Sequence, residues 1–258
     1  MLKLKPFALV TLVLVFLTAC EQQGQGTLPP MQEALDTLMP DESVDVYAIE
    51  VEAWAEPQNQ YYVFEPTSVT PISGLIIYPG GKVDFRAYAP TAKAIAAQGY
   101  LVALLSSPND LALFGVKRGK EVINAFPEIQ FWSVTGHSLG GTAAAAFGKS
   151  NDDIVDGVVI WDSYPSILFT LKNSDLQAKT IYGTNGGNTS SETFEASAVH
   201  LPVGSELVAI EGGVHTFFGY YGDGVSLYHD EDPTDLTREE QQAILVNETV
   251  KFLQLLED

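Results

Sequence analysis

Two side chains in this sequence have the type and the setting that nucleophilic catalysis needs. Ser138 lies in the stretch Gly-His-Ser-Leu-Gly-Gly at residues 136–141, which carries the pattern G-x-S-x-G. His215 lies in a loop and is preceded closely by Gly212 and Gly213. A serine hydroxyl becomes a nucleophile when a base with a pKa of about 7 takes its proton, and imidazole is such a base. The pattern therefore predicts acyl-transfer chemistry, with Ser138 as nucleophile and His215 as its base.

The residues around Ser138 predict the turn on which such a nucleophile sits. Residues 131–135 are aromatic and β-branched and predict a buried strand, while residues 142–149 contain four consecutive alanines and predict a helix. A serine between strand and helix is held in a strained conformation that only small neighbours tolerate. Gly136 and Gly140 are those neighbours. The alternative, an ordinary glycine-rich turn, does not require the strand before it or the helix after it.

Two backbone amides are candidates for stabilising the negative oxygen of a tetrahedral intermediate. The Leu139 amide lies at the start of the predicted helix, where the helix dipole is positive. The second amide is expected in the loop Pro-Gly-Gly-Lys at residues 79–82, which ends another buried strand. We choose Gly81, with Lys82 as the neighbour that could replace it. The alternative for this loop is a plain Pro-Gly turn.

The remaining chain predicts an α/β sheet that brings these residues together. Strands are predicted over 74–78, 100–105, 131–135, 155–161, 178–182 and 206–210, and helices over 88–98, 111–126, 142–149 and 237–256. An antiparallel hairpin is predicted from strands at 44–54 and 61–64. This alternation predicts a doubly wound, mostly parallel sheet with helices on both faces and ligands at the carboxyl ends of its strands. Its short connections leave no room for a large lid domain.

Several segments resemble the α/β-hydrolase superfamily and, within it, a family of small dienelactone-hydrolase-like proteins. The matching segments are LIIYPGGKVD at 75–84, AYAP at 87–90, GYLV at 99–102, GHSLGG at 136–141, SYP at 163–165 and EGGVHTFFG at 211–219. The resemblance implies the α/β-hydrolase fold and hydrolysis of a carboxylic ester or similar acyl bond by a Ser–His–acid triad. It implies no cofactor and no metal. Dienelactone hydrolases commonly use cysteine where this chain has Ser138, so dienelactone is not the expected substrate.

The acid of the triad is where the sequence departs from this resemblance. Relatives carry it in a Tyr-Gly-Thr-Asn-Asp-Gly type of turn after the penultimate strand, and this chain has Gly186 at that position. Asp162 ends the preceding strand, at an alternative acid position that some members of the superfamily use. We therefore predict that Asp162 orients His215. The alternatives are that Asp162 only forms a turn before Ser163, or that Glu192 is the acid.

The first twenty residues predict a bacterial lipoprotein signal. Two lysines precede a run at residues 7–17 that is almost entirely apolar, and Leu-Thr-Ala-Cys follows at residues 17–20. The run is shorter than the roughly 20 apolar residues of a membrane span. Its end resembles the lipobox, so we predict that Cys20 carries a lipid and anchors the protein in the cell envelope, with Glu21 favouring the outer membrane. The alternative is an ordinary secretory signal with an incidental cysteine.

Length and charge limit the remaining choices. The chain has 258 residues, enough for one large domain, and a formal net charge of −20, which argues against binding to nucleic acid. We predict a signal peptide over 1–19, lipidated Cys20 with a flexible tether over 20–43, and a hydrolase domain over 44–258. The expected partners are a small-molecule ester or acyl substrate and the membrane. The alternative function is that of a non-catalytic binding lipoprotein with a degenerate hydrolase site, which Gly186 would allow.

Overall fold

The computed structural model describes residues 26–55, 57–186, 189–222 and 234–257. The strands in these ranges are β1 (Val44–Glu50), β2 (Gln60–Pro66), β3 (Ser73–Tyr78), β4 (Leu101–Leu105), β5 (Phe131–His137), β6 (Gly157–Trp161), β7 (Gln177–Gly183) and β8 (Glu206–Ile210). The α-helices are α1 (Gln32–Asp36), α2 (Ala89–Ala96), α3 (Arg118–Ala125), α4 (Leu139–Ser150), α5 (Ser191–Ser197) and α6 (Arg238–Glu257).

The strands form one sheet in the order β1-β2-β4-β3-β5-β6-β7-β8. Strands β3 to β8 run parallel to one another, and β1 and β2 add an antiparallel hairpin at one edge. The predicted mostly parallel sheet and its antiparallel edge are both confirmed. Strand β5 lies inside the sheet between β3 and β6, so the residue that follows it emerges from the middle of the carboxyl edge.

The central strands are apolar along their whole length because helices cover both faces of the sheet. Every residue of β3, β4 and β6 is buried. In β3, Ile76 points into the core beneath α3 and α4, whereas Leu75 and Ile77 point into the core beneath α2 and α6. Side chains alternate between the faces of a strand, so two separate cores form. The predicted doubly wound arrangement is therefore confirmed.

The loop between β4 and α3 differs from its prediction. The sequence predicts one helix over 111–126, but only the second half is α-helical, and short 3₁₀ turns form at Pro108–Asp110 and Ala112–Phe114. Leu111, the first residue of the predicted helix, is extended, with φ and ψ angles of −125° and 102°. Just before it, the Asp110 carbonyl accepts a hydrogen bond from the Lys82 amide at 2.7 Å. The start of the predicted helix is therefore wrong, and the residue before it contacts a distant loop.

The last helix begins as the sequence predicts. The Thr237 amide donates to the Glu240 carboxylate at 2.9 Å, and the Glu240 amide donates to the Thr237 hydroxyl at 3.2 Å. These reciprocal bonds form a capping box, which satisfies amides at the start of a helix that have no partner within it. The cap fixes where α6 starts, beside the loop that carries His215.

The described part of the segment before β1, residues 27–43, packs on the folded domain, so the predicted flexible tether over 20–43 is wrong for these residues. The Leu28 amide donates to the Lys82 carbonyl at 2.8 Å, and the Met31 amide donates to the Tyr220 carbonyl at 2.8 Å. Helix α1 follows and buries Ala34 completely. We call residues 27–31 the N-terminal strap. The residues that the strap contacts lie far along the chain, so no local sequence pattern predicts the strap.

The predicted signal peptide over 1–19 and the predicted lipidation site Cys20 lie outside the described residues. None of the helices in the described part of the chain is long and apolar enough to cross a membrane.

We predict that removing the strap and α1 destabilises the domain. A protein that begins at residue 42 loses the strap hydrogen bonds and the apolar contacts of Leu28, Ala34 and Leu38 with the core. Its free energy of unfolding in urea should be lower than that of a protein beginning at residue 26 by about 2 kcal/mol or more, because apolar burial of this size contributes that much. Equal free energies would restore the interpretation as a flexible tether.

Candidate active site

Ser138 occupies a strained turn between β5 and α4, as the sequence predicts. Its φ and ψ angles are 54° and −120°, in a region that costs a non-glycine residue about 1–3 kcal/mol. A Cβ on Gly136 would lie 2.3 Å from the Gly140 backbone, and a Cβ on Gly140 would lie 2.2 Å from the Tyr78 carbonyl oxygen. Both positions therefore need glycine. The turn presents the partly exposed Ser138 at the carboxyl edge of the sheet.

Asp162 and His215 are in direct contact. His215 Nδ1 donates a short hydrogen bond to one oxygen of the Asp162 carboxylate, and the other oxygen accepts the Gly183 amide at 2.9 Å. Asp162 is only 6% exposed and has a φ angle of 42°, so its backbone is strained as well. A carboxylate on Nδ1 orients an imidazole so that its Nε2 can act as a base. The chemistry available here is proton transfer through His215.

The register of β5 against β6 places Ser138 next to Asp162. His137 pairs with Trp161 across β5 and β6, so the next residues, Ser138 and Asp162, both emerge at the carboxyl edge. The Ser138 amide donates to the Trp161 carbonyl at 3.0 Å. The ring of His137 lies 4.3 Å from the ring of His215, measured between centroids. The three polar residues that the sequence analysis selected thus converge on one site.

Gly186 lies beside the Asp162 carboxylate. A Cβ on Gly186 would be 3.4 Å from one carboxylate oxygen of Asp162 and 3.9 Å from the other. A side chain at 186, where the resemblance implies the acid, would therefore point at the same space as the Asp162 side chain. Two carboxylates so close would repel each other, and one of them would have to take up a proton. An uncharged residue at 186, such as the glycine present, avoids this repulsion.

Glu192, the other acid candidate, has a different setting. It lies exposed in the first turn of α5. Hydrogen bonds from its own amide and from the Ser190 side chain lower the pKa of its carboxyl group. Ser190 is the residue that precedes this helix at its N-terminus. Glu192 is thus engaged in helix capping, whereas Asp162 contacts the histidine.

The two predicted oxyanion residues touch each other. A Cβ on Gly81 would lie 3.1 Å from the Leu139 side chain. The Lys82 amide is already donated to the Asp110 carbonyl, and the Gly80 amide to the Tyr88 hydroxyl. Among the described residues, the hydrogen bonds leave the amides of Gly81 and Leu139 without an acceptor. The geometry therefore favours Gly81 over Lys82 as the second donor.

His137 is buried against the site and packs there. Burial, with a smaller effect from the neighbouring His215, lowers the pKa of His137 well below its ordinary value. Its ring stacks on Phe218, and its Nδ1 is hydrogen-bonded to the Tyr88 hydroxyl at 2.9 Å. Sequence analysis missed Tyr88 because a helical segment with a tyrosine at its start gives no sign of this contact.

One group of side chains in the described ranges has the spacing of a metal site. Ligand atoms of His137, Asp162 and His215 lie within 4.8 Å of one another. The Asp162 carboxylate is held by His215 and Gly183, and His137 Nδ1 is held by Tyr88. Within this cluster the hydrogen bond between His215 and Asp162 is the arrangement of a proton-transfer site.

Comparison with known proteins agrees with the fold. A family model described as "Alpha/beta hydrolase family" matches residues 74–242, which is more than half of the chain. No curated protein matches the sequence. Among solved structures, the crystal structure of TT1662 from Thermus thermophilus aligns with a TM-score of 0.57 and 13% sequence identity, covering 83% of this chain and 98% of that chain. At that identity the likeness concerns the fold alone.

We predict that Asp162→Asn lowers turnover of a p-nitrophenyl ester by up to roughly 10⁴-fold, the loss seen when a serine protease loses this carboxylate. The asparagine keeps the shape of the side chain but cannot stabilise a charged imidazole. Adding Gly186→Asp should restore part of the rate, because a side chain at 186 points at the same space.

The control for this pair is Asp153→Asn, which removes an exposed carboxylate outside the site and should leave turnover unchanged. Circular dichroism should show that each variant is folded. Near-normal turnover in folded Asp162→Asn would show that His215 does not depend on this carboxylate.

Proposed function

The chain belongs to the alpha/beta hydrolase family, and we propose that it is a serine hydrolase that cleaves a carboxylic ester or a related acyl bond. The observation that carries the proposal is the hydrogen bond from His215 to Asp162, formed at the sheet edge where Ser138 holds its strained turn. A fold alone does not define a function, because this fold hosts many chemistries. The proposal rests on these three side chains.

The mechanism follows from their positions. Ser138 Oγ attacks the acyl carbon while His215 Nε2 takes the hydroxyl proton, and Asp162 stabilises the resulting imidazolium. The bond to the leaving oxygen then breaks, and His215 gives its proton to the departing alcohol. A water molecule attacks the acyl group on Ser138, with His215 again acting as base. The carboxylic acid leaves, and Ser138 regains its proton.

The negative oxygen formed in each half of the reaction needs donors that are already in place. The amides of Gly81 and Leu139 are the proposed donors, since these residues touch and their neighbours' amides are used elsewhere. The Leu139 amide also lies in the first turn of the 12-residue helix α4, whose dipole adds positive potential there. Negative charge is therefore favoured next to Ser138.

The alternative is a non-catalytic binding protein that has lost its acid. Gly186 is the observation that favours it, because relatives carry an aspartate at that position. The Asp162 contact with His215 removes this argument, since the histidine has a carboxylate partner. Backbone strain at both Ser138 and Asp162 also costs stability that a binding protein would have no reason to retain. We therefore favour the hydrolase.

We predict that a fluorophosphonate probe labels Ser138 in the purified protein and that Ser138→Ala abolishes hydrolysis of short-chain p-nitrophenyl esters. Loss of a nucleophile in such a site costs roughly 10⁴-fold or more in turnover. His215→Ala should lose nearly as much, because His215 is the proposed base that takes the Ser138 proton.

Ser166→Ala serves as the control, since this serine lies in a loop and its hydroxyl accepts only a local bond from the Leu168 amide. Mass spectrometry of the labelled peptide identifies the modified serine. A folded protein that is neither labelled nor active would favour the binding alternative, and ester turnover that survives Ser138→Ala would refute this mechanism.

We further propose that the hydrolase is anchored by a lipid on Cys20, on the basis of the lipobox-like stretch at residues 17–20. The hydrogen bonds of the strap begin at Thr27, which contacts Asp110, and at Leu28, which contacts Lys82. Lys82 belongs to the loop at residues 79–82 that carries Gly81, called here the oxyanion loop. Six residue steps separate Cys20 from residue 26, and such a length reaches at most about 20 Å. A lipid on Cys20 would therefore keep the active-site edge near the membrane surface, within reach of esters at that surface.

We predict that the wild-type protein sediments with membranes and that globomycin-type inhibition of signal processing leaves a longer precursor. Cys20→Ser should also stay unprocessed, because the thiol that receives the lipid is gone. Mass spectrometry of the mature N-terminus measures the lipid directly. Processing and membrane binding of Cys20→Ser to the wild-type extent would contradict lipid anchoring and leave the hydrolase proposal untouched.

A further inference from the structure

The hydroxyl of Tyr88 lies between two loops of the candidate active site. Tyr88 ends the 3₁₀ turn Phe85–Tyr88 just before α2 and is completely buried. Its oxygen accepts the Gly80 amide at 3.0 Å and is hydrogen-bonded to His137 Nδ1 at 2.9 Å. A single phenol group thus joins the loop after β3 to the end of β5.

The two residues it joins are the immediate neighbours of the proposed reacting groups. Gly80 precedes Gly81, whose amide is a proposed oxyanion donor, and His137 precedes Ser138. The ring of His137 also lies 4.3 Å from that of His215 and stacks on Phe218. The catalytic geometry must be held to well under 1 Å, because an error of that size can cost about 100-fold in rate.

We propose that Tyr88 is a positioning residue, whose hydroxyl holds the Gly81 amide and Ser138 at a fixed distance from each other. One substrate carbonyl can then contact the oxyanion donor and the nucleophile at the same time. This inference rests on the proposed hydrolase function. Tyr88 touches neither substrate nor reacting atoms and acts through Gly80 and His137. Without the hydroxyl, β3 and β5 stay paired, but Gly80 and His137, which lie just beyond that pairing, lose the group that bonds to both.

A purely structural role is the competing explanation, because any buried hydroxyl needs a partner. Tyr78 offers a matched comparison. It is also completely buried, and its hydroxyl donates to the Val116 carbonyl at 2.6 Å, at the start of α3. Removing either hydroxyl leaves a buried polar group without its partner and costs stability. Of these two hydroxyls, that of Tyr88 bonds to Gly80 and His137 and that of Tyr78 does not, so the loss of the Tyr88 hydroxyl should change the chemical step.

The first test compares Tyr88→Phe with Tyr78→Phe in steady-state hydrolysis of a p-nitrophenyl ester and in urea unfolding. Both variants should be less stable than the wild type. Tyr88→Phe should lower kcat by about 10- to 100-fold while KM changes by less than about twofold, as a loss of alignment predicts. Tyr78→Phe should keep its kcat. An unchanged kcat in Tyr88→Phe, or an equal loss in both variants, would overturn the inference.

The second test is a double-mutant cycle with His137. His137→Asn keeps a polar group at the δ position and should retain more activity than His137→Leu, which removes it. If the Tyr88 hydroxyl acts through His137, the loss of kcat in the double variant Tyr88→Phe, His137→Leu should be much smaller than the product of the two single losses. Fully multiplicative losses would show that Tyr88 does not act through His137.

A third measurement does not depend on activity. The ¹⁵N resonances of the His137 ring should shift in Tyr88→Phe and stay in place in Tyr78→Phe, because only the first loses a bond to Nδ1. Unchanged resonances in Tyr88→Phe would refute the contact itself. If wild-type Ser138 is unreactive to fluorophosphonate, the hydrolase proposal fails and the positioning role with it. If the wild type is active and Tyr88→Phe is equally fast, the Tyr88 inference alone fails.

Discussion

The close approach of three backbone segments at the end of β5 is the constraint on which the rest of the site depends. A side chain on Gly140 would lie 2.2 Å from the Tyr78 carbonyl, so only glycine lets α4 begin directly against the end of β3. The same approach forces Ser138 to a φ angle of 54° and brings Leu139 against Gly81. The exposure of Ser138 and the close approach of Leu139 to Gly81 therefore have one steric cause.

A strained turn persists only where its surroundings hold it, and here the surroundings are remote in sequence. Gln241 of α6 both donates to and accepts from the backbone of Val214 at 2.9 Å, which fixes the residue before His215. The N-terminal strap bonds to Lys82 on one side and to Tyr220 on the other, so it ties the oxyanion loop to the histidine loop. The site is thus assembled by contacts from both ends of the described chain.

What the sequence could predict follows from the range of the interactions involved. The turn at Ser138 is encoded by the strand before it, the helix after it and two glycines, all within about a dozen residues, so pattern reasoning finds it. The strap and the Tyr88–His137 contact join residues 49 or more positions apart and have no local pattern. The same holds for the loop at 108–114, where the Lys82 amide donates to the Asp110 carbonyl just before the predicted helix. The Asp162–His215 contact is also long-range, and it could be predicted only because the resemblance to a known family supplied the histidine and a candidate acid position.

Asp162 shows how a carboxylate can reach His215 although Gly186 stands where the resemblance implies an aspartate. Strands β6 and β7 are neighbours, and the Asp162 amide donates to the Ile181 carbonyl at 2.8 Å, so their carboxyl ends open onto the same space. Either strand end can present a carboxylate to His215, but two carboxylates there would repel each other. The lack of an aspartate after β7 therefore says nothing about whether His215 has an acid partner until the residue bonded to His215 Nδ1 is known. That partner is Asp162. In the proposed hydrolase, the acid therefore lies at the end of β6, and the glycine at 186 does not mean that the acid was lost.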